Sequence, residues 1–215
     1  MSLSVKICGL STGETIEAAI GAGASLVGFV FYPPSPRAVT PEQVARLVRP
    51  VPPTVTKVGL FVDPDDALLD RTLTLAGLDM IQLHGLEPPE RVAQIRERFR
   101  RPVMKAIRVG TAADVDAAQR YFGAADRLLF DAQPPRRPDA LPGGNGEPFD
   151  WSLLAGRAWP LPWMLSGGLT IANITEAVRT TGAPAIDLSS GVETSPGIKD
   201  VGLIRDFIAA ARALG

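Results

Sequence analysis

Three side chains that can exchange protons, a thiol, an imidazole and a carboxylate, each follow or end a short apolar run. Cys8 is the only cysteine in 215 residues, His84 is the only histidine, and Asp131 comes after LLF. A lone thiol is either a reactive group or a small buried filler, because free cysteines are among the most buried residues. His84 can equally cap a strand, and Asp131 can serve as a turn or helix-cap residue. Their chemistry depends on whether the fold brings them together.

Two glycine motifs, SGG at 166–168 and SSG at 189–191, also follow apolar runs. Glycine lets backbone N–H groups approach an anion closely, so the pair predicts a phosphate site. The residues of this predicted site are Gly167, Gly168, Ser189, Ser190 and Gly191. Turn glycines without a ligand are the alternative. The run GGNGEPF (143–149) lacks the Lys-Ser/Thr of a nucleotide-binding P-loop, and we interpret it as a cover over the site.

The elements that must position these groups are short β-rich runs alternating with helical patterns, which predicts parallel strands joined by crossover helices. The eight predicted strands cover residues 4–10, 25–31, 54–62, 79–85, 102–109, 126–132, 162–169 and 185–193. Helical patterns follow seven of them, and Thr40, Pro41 and Gln43 form a capping signal before one helix. The sixth connection offers only DWSLLAG (150–156) after a long Pro/Gly-rich loop (133–150).

Eight such pairs in 215 residues favour a single (β/α)₈ TIM barrel, with residues 1–215 as one domain. Active sites of these barrels lie at the carboxyl ends of the strands. Cys8, His84 and Asp131 end the first, fourth and sixth strands, and Arg37 follows the second. Arg108 ends the fifth strand, and both Arg37 and Arg108 could be solvated. Asp63, before Pro64, fits an ordinary turn or N-cap role.

Composition excludes several other classes of function. The chain carries 22 basic and 23 acidic residues, without the basic stripe that nucleic-acid binding requires. We see no membrane-spanning run and no leader, and therefore expect a cytoplasmic protein. One cysteine and one histidine are too few for a structural zinc site, so we expect no metal. Whether the chain is a monomer or a homodimer stays open.

The chain resembles the phosphoribosylanthranilate isomerase family of tryptophan biosynthesis over nearly its whole length. The motifs that carry the resemblance, in order, are KICGL (6–10), GFVFYPPSPR (28–37), VGLFVD (58–63), IQLHG (81–85), LLFDA (128–132), GGNGEPFDW (143–151), LSGGL (165–169) and DLSSGVETSPGIKD (187–200). The resemblance implies a cofactor-free Amadori rearrangement of N-(5-phosphoribosyl)anthranilate to the carboxyphenylamino-deoxyribulose phosphate. Its substrate is a small phosphorylated molecule.

The resemblance also implies roles for named residues. Cys8 would be the general base, Asp131 the general acid, and Arg37 would face the anthranilate carboxylate. The two glycine motifs would hold the phosphate, and we expect His84, at the end of its strand, to contact substrate as well. An ordinary thiol is mostly protonated near pH 7, so the base needs a nearby cation. Strand alternation puts Lys6 on the same face as Cys8, toward the barrel interior. Exclusion of water by the cover would favour the proton on Asp131.

Three other functions fit parts of the sequence. The histidine-pathway sugar isomerase performs the same rearrangement with an aspartate where this chain has Cys8, and an enzyme acting on both substrates stays open. Indole-glycerol phosphate synthase shares the fold but relies on barrel lysines and an N-terminal extension. A non-catalytic phosphosugar-binding barrel is a different class, which the intact acid and base positions disfavour.

Overall fold

The structure, a computed structural model, describes residues 3–136 and 140–215. Eight parallel strands close into a barrel, each bonded to the next and β8 bonded to β1. The strands are β1 (Ser4–Cys8), β2 (Leu26–Val30), β3 (Thr56–Phe61), β4 (Met80–Leu83), β5 (Val103–Val109), β6 (Arg127–Ala132), β7 (Trp163–Leu165) and β8 (Ala185–Leu188). The predicted barrel is confirmed.

Helices form the outer layer between the strands. They are α1 (Gly13–Ala22), α2 (Pro41–Leu47), α3 (Asp66–Ala76), α4 (Pro89–Phe99), α5 (Ala112–Ala117), α6 (Ile174–Thr181) and α7 (Val201–Arg212). The predicted capping box of α2 is confirmed, since Thr40 and Gln43 exchange side-chain and backbone hydrogen bonds. Between β6 and β7 the described residues form only a 3₁₀ turn (Trp151–Leu154) where the other connections have a helix, as the weak sixth helical pattern indicated. None of the described helices has the length and apolar character to cross a membrane.

Strand alternation divides the core into two parts. Apolar residues facing outward pack under the helices, and a smaller apolar cluster fills the barrel interior. Met80 of β4 and Leu129 of β6 belong to that interior cluster. Two residues further along the same faces lie Gln82 on β4 and Asp131 on β6. The interior is therefore apolar at one end and polar toward the carboxyl ends of the strands.

Strands β7 and β8 depart most from their predicted ends, which were residues 169 and 193. Strand β7 stops at Leu165 because Gly167 and Gly168 adopt φ values of 89° and 60°, which no strand tolerates. Strand β8 stops at Leu188 and is followed by a 3₁₀ turn (Ser190–Val192). A small antiparallel hairpin then forms from β9 (Glu193–Ser195) and β10 (Ile198–Lys199).

The N-cap role considered for Asp63 is wrong, although it does lie in a turn. Asp65 caps α3, with its side chain accepting a hydrogen bond from the backbone of Leu68. Asp63 has φ 45°, in the left-handed region, and its carboxylate accepts a hydrogen bond from the backbone of Leu86. It thus ties the loop after β3 to the loop after β4.

Candidate active site

A pocket opens at the carboxyl ends of the strands. Its walls include eight of the nine predicted site residues, which are Cys8, Arg37, His84, Asp131, Gly167, Gly168, Ser189 and Ser190. Gly191 is the exception. A Cβ there would overlap the carbonyl oxygen of Leu169, so this glycine allows the loops after β7 and β8 to pack together. The fold therefore gathers reactive groups that are far apart in sequence.

Cys8 is buried at the base of the pocket, above an ion pair inside the barrel. The fully buried Lys6 donates a hydrogen bond of 2.8 Å from Nζ to Oδ1 of Asp187 on the neighbouring strand. Across from Cys8, a Cβ on Gly28 would lie 3.0 Å from the Cys8 Sγ atom. Gly28 thus makes room for the thiol and for the Lys6 chain beside it.

The electrostatic surroundings of Cys8 act in opposite directions. Burial raises the pKa of the Cys8 thiol, Lys6 lowers it, and the charge on Asp187 raises it again. The net pKa lies above the ordinary thiol value, because burial outweighs the nearby ammonium groups. Lys6 therefore lies where the sequence placed it and acts in the expected direction, but it does not make Cys8 a thiolate in this structure.

We predict that Lys6→Met destabilises the fold, because it leaves the Asp187 carboxylate buried without its cation. Breaking a buried ion pair by removing one partner costs about 3 to 5 kcal/mol, and thermal unfolding followed by circular dichroism would measure the loss. The matched control is Arg71→Met, which breaks an exposed ion pair with Glu42 and should leave the melting temperature nearly unchanged. Equal melting temperatures for the two variants would contradict the prediction.

His84 and Asp131 form a hydrogen-bonded pair on the opposite wall. His84 Nε2 lies 3.0 Å from Asp131 Oδ2, and the other ring nitrogen, Nδ1, lies 3.0 Å from Nε2 of the buried Gln82. The second carboxylate oxygen, Oδ1, accepts a hydrogen bond of 3.0 Å from the Ala132 backbone. His84, predicted to contact substrate, lines the pocket and is also the partner of the predicted acid.

Arg37 is held in place by a carboxylate of the protein itself. Its Nε and Nη2 donate hydrogen bonds of 2.7 and 2.8 Å to the two carboxylate oxygens of Glu193. Lys199 pairs with the same carboxylate. Burial acts to raise the pKa of Glu193, but hydrogen bonds and charge from Arg37 and Lys199 lower it overall. Arg37 is therefore not the solvated side chain that the sequence left open.

The two glycine motifs form the remaining wall. Ser190 lines the pocket, whereas the Ser189 hydroxyl is engaged within the protein. It donates to the backbone oxygen of Cys8 at 3.0 Å and accepts from Lys199 Nζ at 3.0 Å. The backbone at Gly167 and Gly168 turns through left-handed conformations directly after β7. Of the two serines, Ser190 is the better placed to meet a ligand.

The segment 140–150 covers the pocket, and the main chain of two of its glycines lies against the reacting groups. A Cβ on Gly143 would lie 2.5 Å from His84 Nε2 and 2.8 Å from Asp131 Oδ2. A Cβ on Gly144 would lie 2.6 Å from Nη1 of Arg37, and the Gly144 carbonyl accepts a hydrogen bond from Nη2. The predicted cover therefore lies on both walls, although residues 137–139 of the 133–150 loop are outside the described residues.

Sequence reasoning missed the residues that support this site. Asp187, Glu193, Lys199 and Gln82 were given no role, although the first three lie within one quoted motif. For Asp187 and Gln82 the signal was available, since alternation along β8 and β4 points both into the barrel. For Glu193 and Lys199 it was not, because a local hairpin folds them back toward Arg37. Arg108 lies outside the pocket and donates to the His84 carbonyl oxygen at 3.2 Å.

Within the described parts of the chain, no group of three His, Cys, Asp or Glu side chains could hold a metal ion. The polar groups of the pocket instead bond to one another or to the backbone. The arrangement is one that can move protons on an organic molecule and hold its anionic groups, with a thiol on one wall and a carboxylate on another.

Comparison with known proteins agrees with this arrangement. The model of the N-(5'phosphoribosyl)anthranilate (PRA) isomerase family matches residues 5–210. The N-(5'-phosphoribosyl)anthranilate isomerase of Paramagnetospirillum magneticum is 60% identical over 212 residues, covering 99% of this chain and 98% of its own. The crystal structure of the Thermotoga maritima enzyme has 38% identity and a TM-score of 0.88, covering 99% of this chain and all of its own.

A further crystal structure of a phosphoribosyl anthranilate isomerase contains reduced 1-(o-carboxyphenylamino)-1-deoxyribulose 5-phosphate. It is 36% identical to this chain, with a TM-score of 0.83, and covers 99% of this chain and all of its own. Family match, full-length relatives and fold thus agree with one another and with the motifs of the sequence. The chain belongs to the N-(5'-phosphoribosyl)anthranilate isomerase family.

Proposed function

We propose that this chain converts N-(5-phosphoribosyl)anthranilate into 1-(o-carboxyphenylamino)-1-deoxyribulose 5-phosphate, with Asp131 as general acid and Cys8 as general base. The observation that carries the proposal is that Cys8 and Asp131 line one pocket from non-adjacent strands, β1 and β6. A substrate lying across the barrel mouth can meet a different group at each end of its reacting sugar. The family membership supports the same reaction.

The reaction needs an acid first and a base second. Asp131 gives its proton to the oxygen of the furanose ring as the carbon–oxygen bond breaks and the nitrogen lone pair forms a cationic imine. Cys8 then takes the proton from the second sugar carbon, and the electrons of that bond neutralise the imine to give an enolamine. The enolamine becomes the ketone when its hydroxyl loses a proton and the first carbon gains one. The protein supplies positions and protons at each step.

The number of protons that Cys8 and Asp131 hold between them suits this order of steps. An ordinary thiol with an ordinary carboxylate holds one proton between them, on sulfur, near pH 7. The productive form, thiolate with carboxylic acid, also holds one proton. Activation is therefore a transfer of that proton from Cys8 to Asp131 and requires no uptake from solvent. The raised pKa of Cys8 makes the productive form a minority in the free protein.

Arg37 is the proposed partner of the anthranilate carboxylate. Bidentate pairing with Glu193 fixes its guanidinium plane against the pocket, and an oriented guanidinium binds a carboxylate with little further ordering. The reduced product analogue in the related crystal structure carries such a carboxyphenyl group in its name. The substrate carboxylate would share or replace the Glu193 contacts.

We predict that Arg37→Ala raises KM at least tenfold and changes kcat less, because it removes a contact made equally in the ground and transition states. Steady-state kinetics by anthranilate fluorescence measure both constants. Glu193→Gln is the comparison variant, because glutamine keeps the size of the side chain and one hydrogen-bond acceptor but loses the charge that orients Arg37. It should raise KM by a smaller factor than Arg37→Ala. Unchanged KM and kcat in Arg37→Ala would remove Arg37 from the binding site.

The loops after β7 and β8 are proposed to hold the substrate phosphate through backbone N–H groups and the Ser190 hydroxyl. Binding energy from this non-reacting group can hold the sugar across Cys8 and Asp131. The wall formed by Gly167, Gly168 and Ser190 lies in the same pocket as both proton-transfer groups.

Closure of β1 against β8 further supports one domain spanning residues 1–215.

The decisive experiment is a fluorescence assay of substrate loss with purified protein, run beside calorimetry with a reduced product analogue. Turnover of the anthranilate substrate and competition by inorganic phosphate are expected. Binding of the analogue without turnover would indicate a phosphosugar-binding barrel instead. A parallel assay with the phosphoribosyl substrate of the histidine pathway would show whether a second substrate is accepted.

A further inference from the structure

Gln82 is a buried amide below the mouth of the pocket. It lies on β4 and is fully inaccessible to solvent, between Met80 of the interior cluster and His84 of the pocket on the same strand face. Its Nε2 lies 3.0 Å from Nδ1 of His84. Its carbonyl oxygen, Oε1, has no hydrogen-bond partner among the described residues.

The charge on Asp131 determines which way the amide points. In the resting form proposed above the proton is on Cys8, so Asp131 is a carboxylate and can only accept hydrogen bonds. Its contact of 3.0 Å with His84 Nε2 therefore uses an Nε2–H donor. A neutral ring then leaves Nδ1 as an acceptor, which matches the observed orientation, with the amide N–H of Gln82 donating to Nδ1.

An N–H that points at Nδ1 leaves no room for a proton on that nitrogen. The ring must then carry its proton on Nε2, because a neutral imidazole holds one proton on one of its two nitrogens.

The Nε2–H tautomer of His84 in turn holds the carboxylate of Asp131 in place. The Nε2–H group donates to Oδ2 at 3.0 Å, and the Ala132 backbone N–H donates to Oδ1 at 3.0 Å. A Cβ on Gly167 would lie 3.3 Å from Oδ1, and a Cβ on Gly143 would lie 2.8 Å from Oδ2, so both oxygens face loops that line the pocket. An imidazolium at His84 would instead keep Asp131 ionised and unable to act as an acid.

We propose that Gln82 is a positioning residue for the reaction, which it serves by holding His84 neutral with its proton on Nε2, so that no imidazolium keeps Asp131 ionised when it must act as an acid. This inference rests on the proposed function for its catalytic consequence, but the hydrogen-bond chain Gln82–His84–Asp131 can be tested without activity. His84 is the only histidine of the chain, so one imidazole gives the whole ring signal.

The direct test is ¹⁵N nuclear magnetic resonance of the imidazole at pH 7 in the full-length protein. We expect a neutral ring with the proton on Nε2 in the wild type. In Gln82→Glu a carboxylate faces Nδ1 and should draw a proton onto that nitrogen, and in Gln82→Met the preference for one tautomer should weaken. A wild-type ring protonated on Nδ1, or a ring signal that is the same in all three proteins, would overturn the proposal.

Kinetics on the same variants test the consequence for catalysis. We expect Gln82→Glu and Gln82→Met to lower kcat by about tenfold or more, with KM changed less than about twofold, because neither residue touches the substrate. Met80→Leu, on the same strand face but deeper in the barrel, is the matched control and should keep wild-type kcat. A tautomer that changes while kcat does not would refute the catalytic role. Absence of turnover in the wild type would refute the proposed function and leave the tautomer result standing.

Discussion

Replacing Cys8 with serine is expected to lower kcat by about 10² to 10⁴, the usual worth of a general base. The hydroxyl keeps the shape of the thiol but is far too weak an acid to become an anion near neutral pH. The substitution also avoids the cavity that alanine would leave beside Gly28 and Lys6. Cys8→Ala is expected to lose as much activity, and binding of a reduced product analogue should change only a few-fold in either variant.

The control for Cys8 is thermal stability, which should stay near that of the wild type in Cys8→Ser while turnover is lost. Retention of more than a tenth of the wild-type kcat in either variant would rule out Cys8 as the base. The pH profile is a second check. Because the productive and resting forms hold the same number of protons, kcat/KM should be level across neutral pH. At alkaline pH, kcat/KM should decrease only above the pH at which an ordinary thiol ionises, since burial raises the pKa of Cys8.

Asp131→Asn is expected to cost a similar factor of about 10² to 10⁴ in kcat. The amide has nearly the same shape as the carboxyl group and keeps an acceptor for the Ala132 backbone N–H. It cannot give a proton to the ring oxygen, so ring opening would lose its acid. Steady-state fluorescence assays measure the loss, and calorimetry with the reduced product analogue checks that the pocket still binds.

The matched control for Asp131→Asn is Asp63→Asn. Asp63 also follows the end of a barrel strand, but its carboxylate accepts a hydrogen bond from the Leu86 backbone instead of lining the pocket. Asparagine keeps that acceptor and tolerates the left-handed backbone at this position. Near wild-type activity in Asp63→Asn beside a large loss in Asp131→Asn would separate proton delivery from loop structure. Comparable losses in both would argue against the acid role.

The barrel and the residues at its mouth were predictable because strand periodicity and position at a strand end are local properties of sequence. Cys8, His84 and Asp131 were found in this way, and so was the inward direction of Lys6. The early end of β7 was not, because the predicted strand ran through the SGG motif (166–168) to Leu169, whereas the backbone at Gly167 and Gly168 leaves the extended region. Composition alone does not reveal that change of conformation.

What the sequence could not supply was the pairing of charges between distant segments. Arg37 and Glu193 are 156 residues apart, and their bidentate contact depends on a hairpin that turns back over the mouth. The net pKa of Cys8 was likewise out of reach, since it depends on how far burial outweighs two ammonium groups. Sequence patterns identify which groups are present at a site, whereas packing determines their charge.

The glycine main chain that lies over the pocket has a consequence for how this enzyme family can change. At Gly143 and Gly144 the cover presents no side chain, and any Cβ would collide with His84, Asp131 or Arg37. Natural selection therefore has almost no tolerated substitutions to act on at the part of this loop that lies nearest the reacting groups. Altered substrate preference, whether evolved or engineered, should therefore arise in the barrel walls, and libraries that randomise these two loop positions should yield mainly inactive proteins.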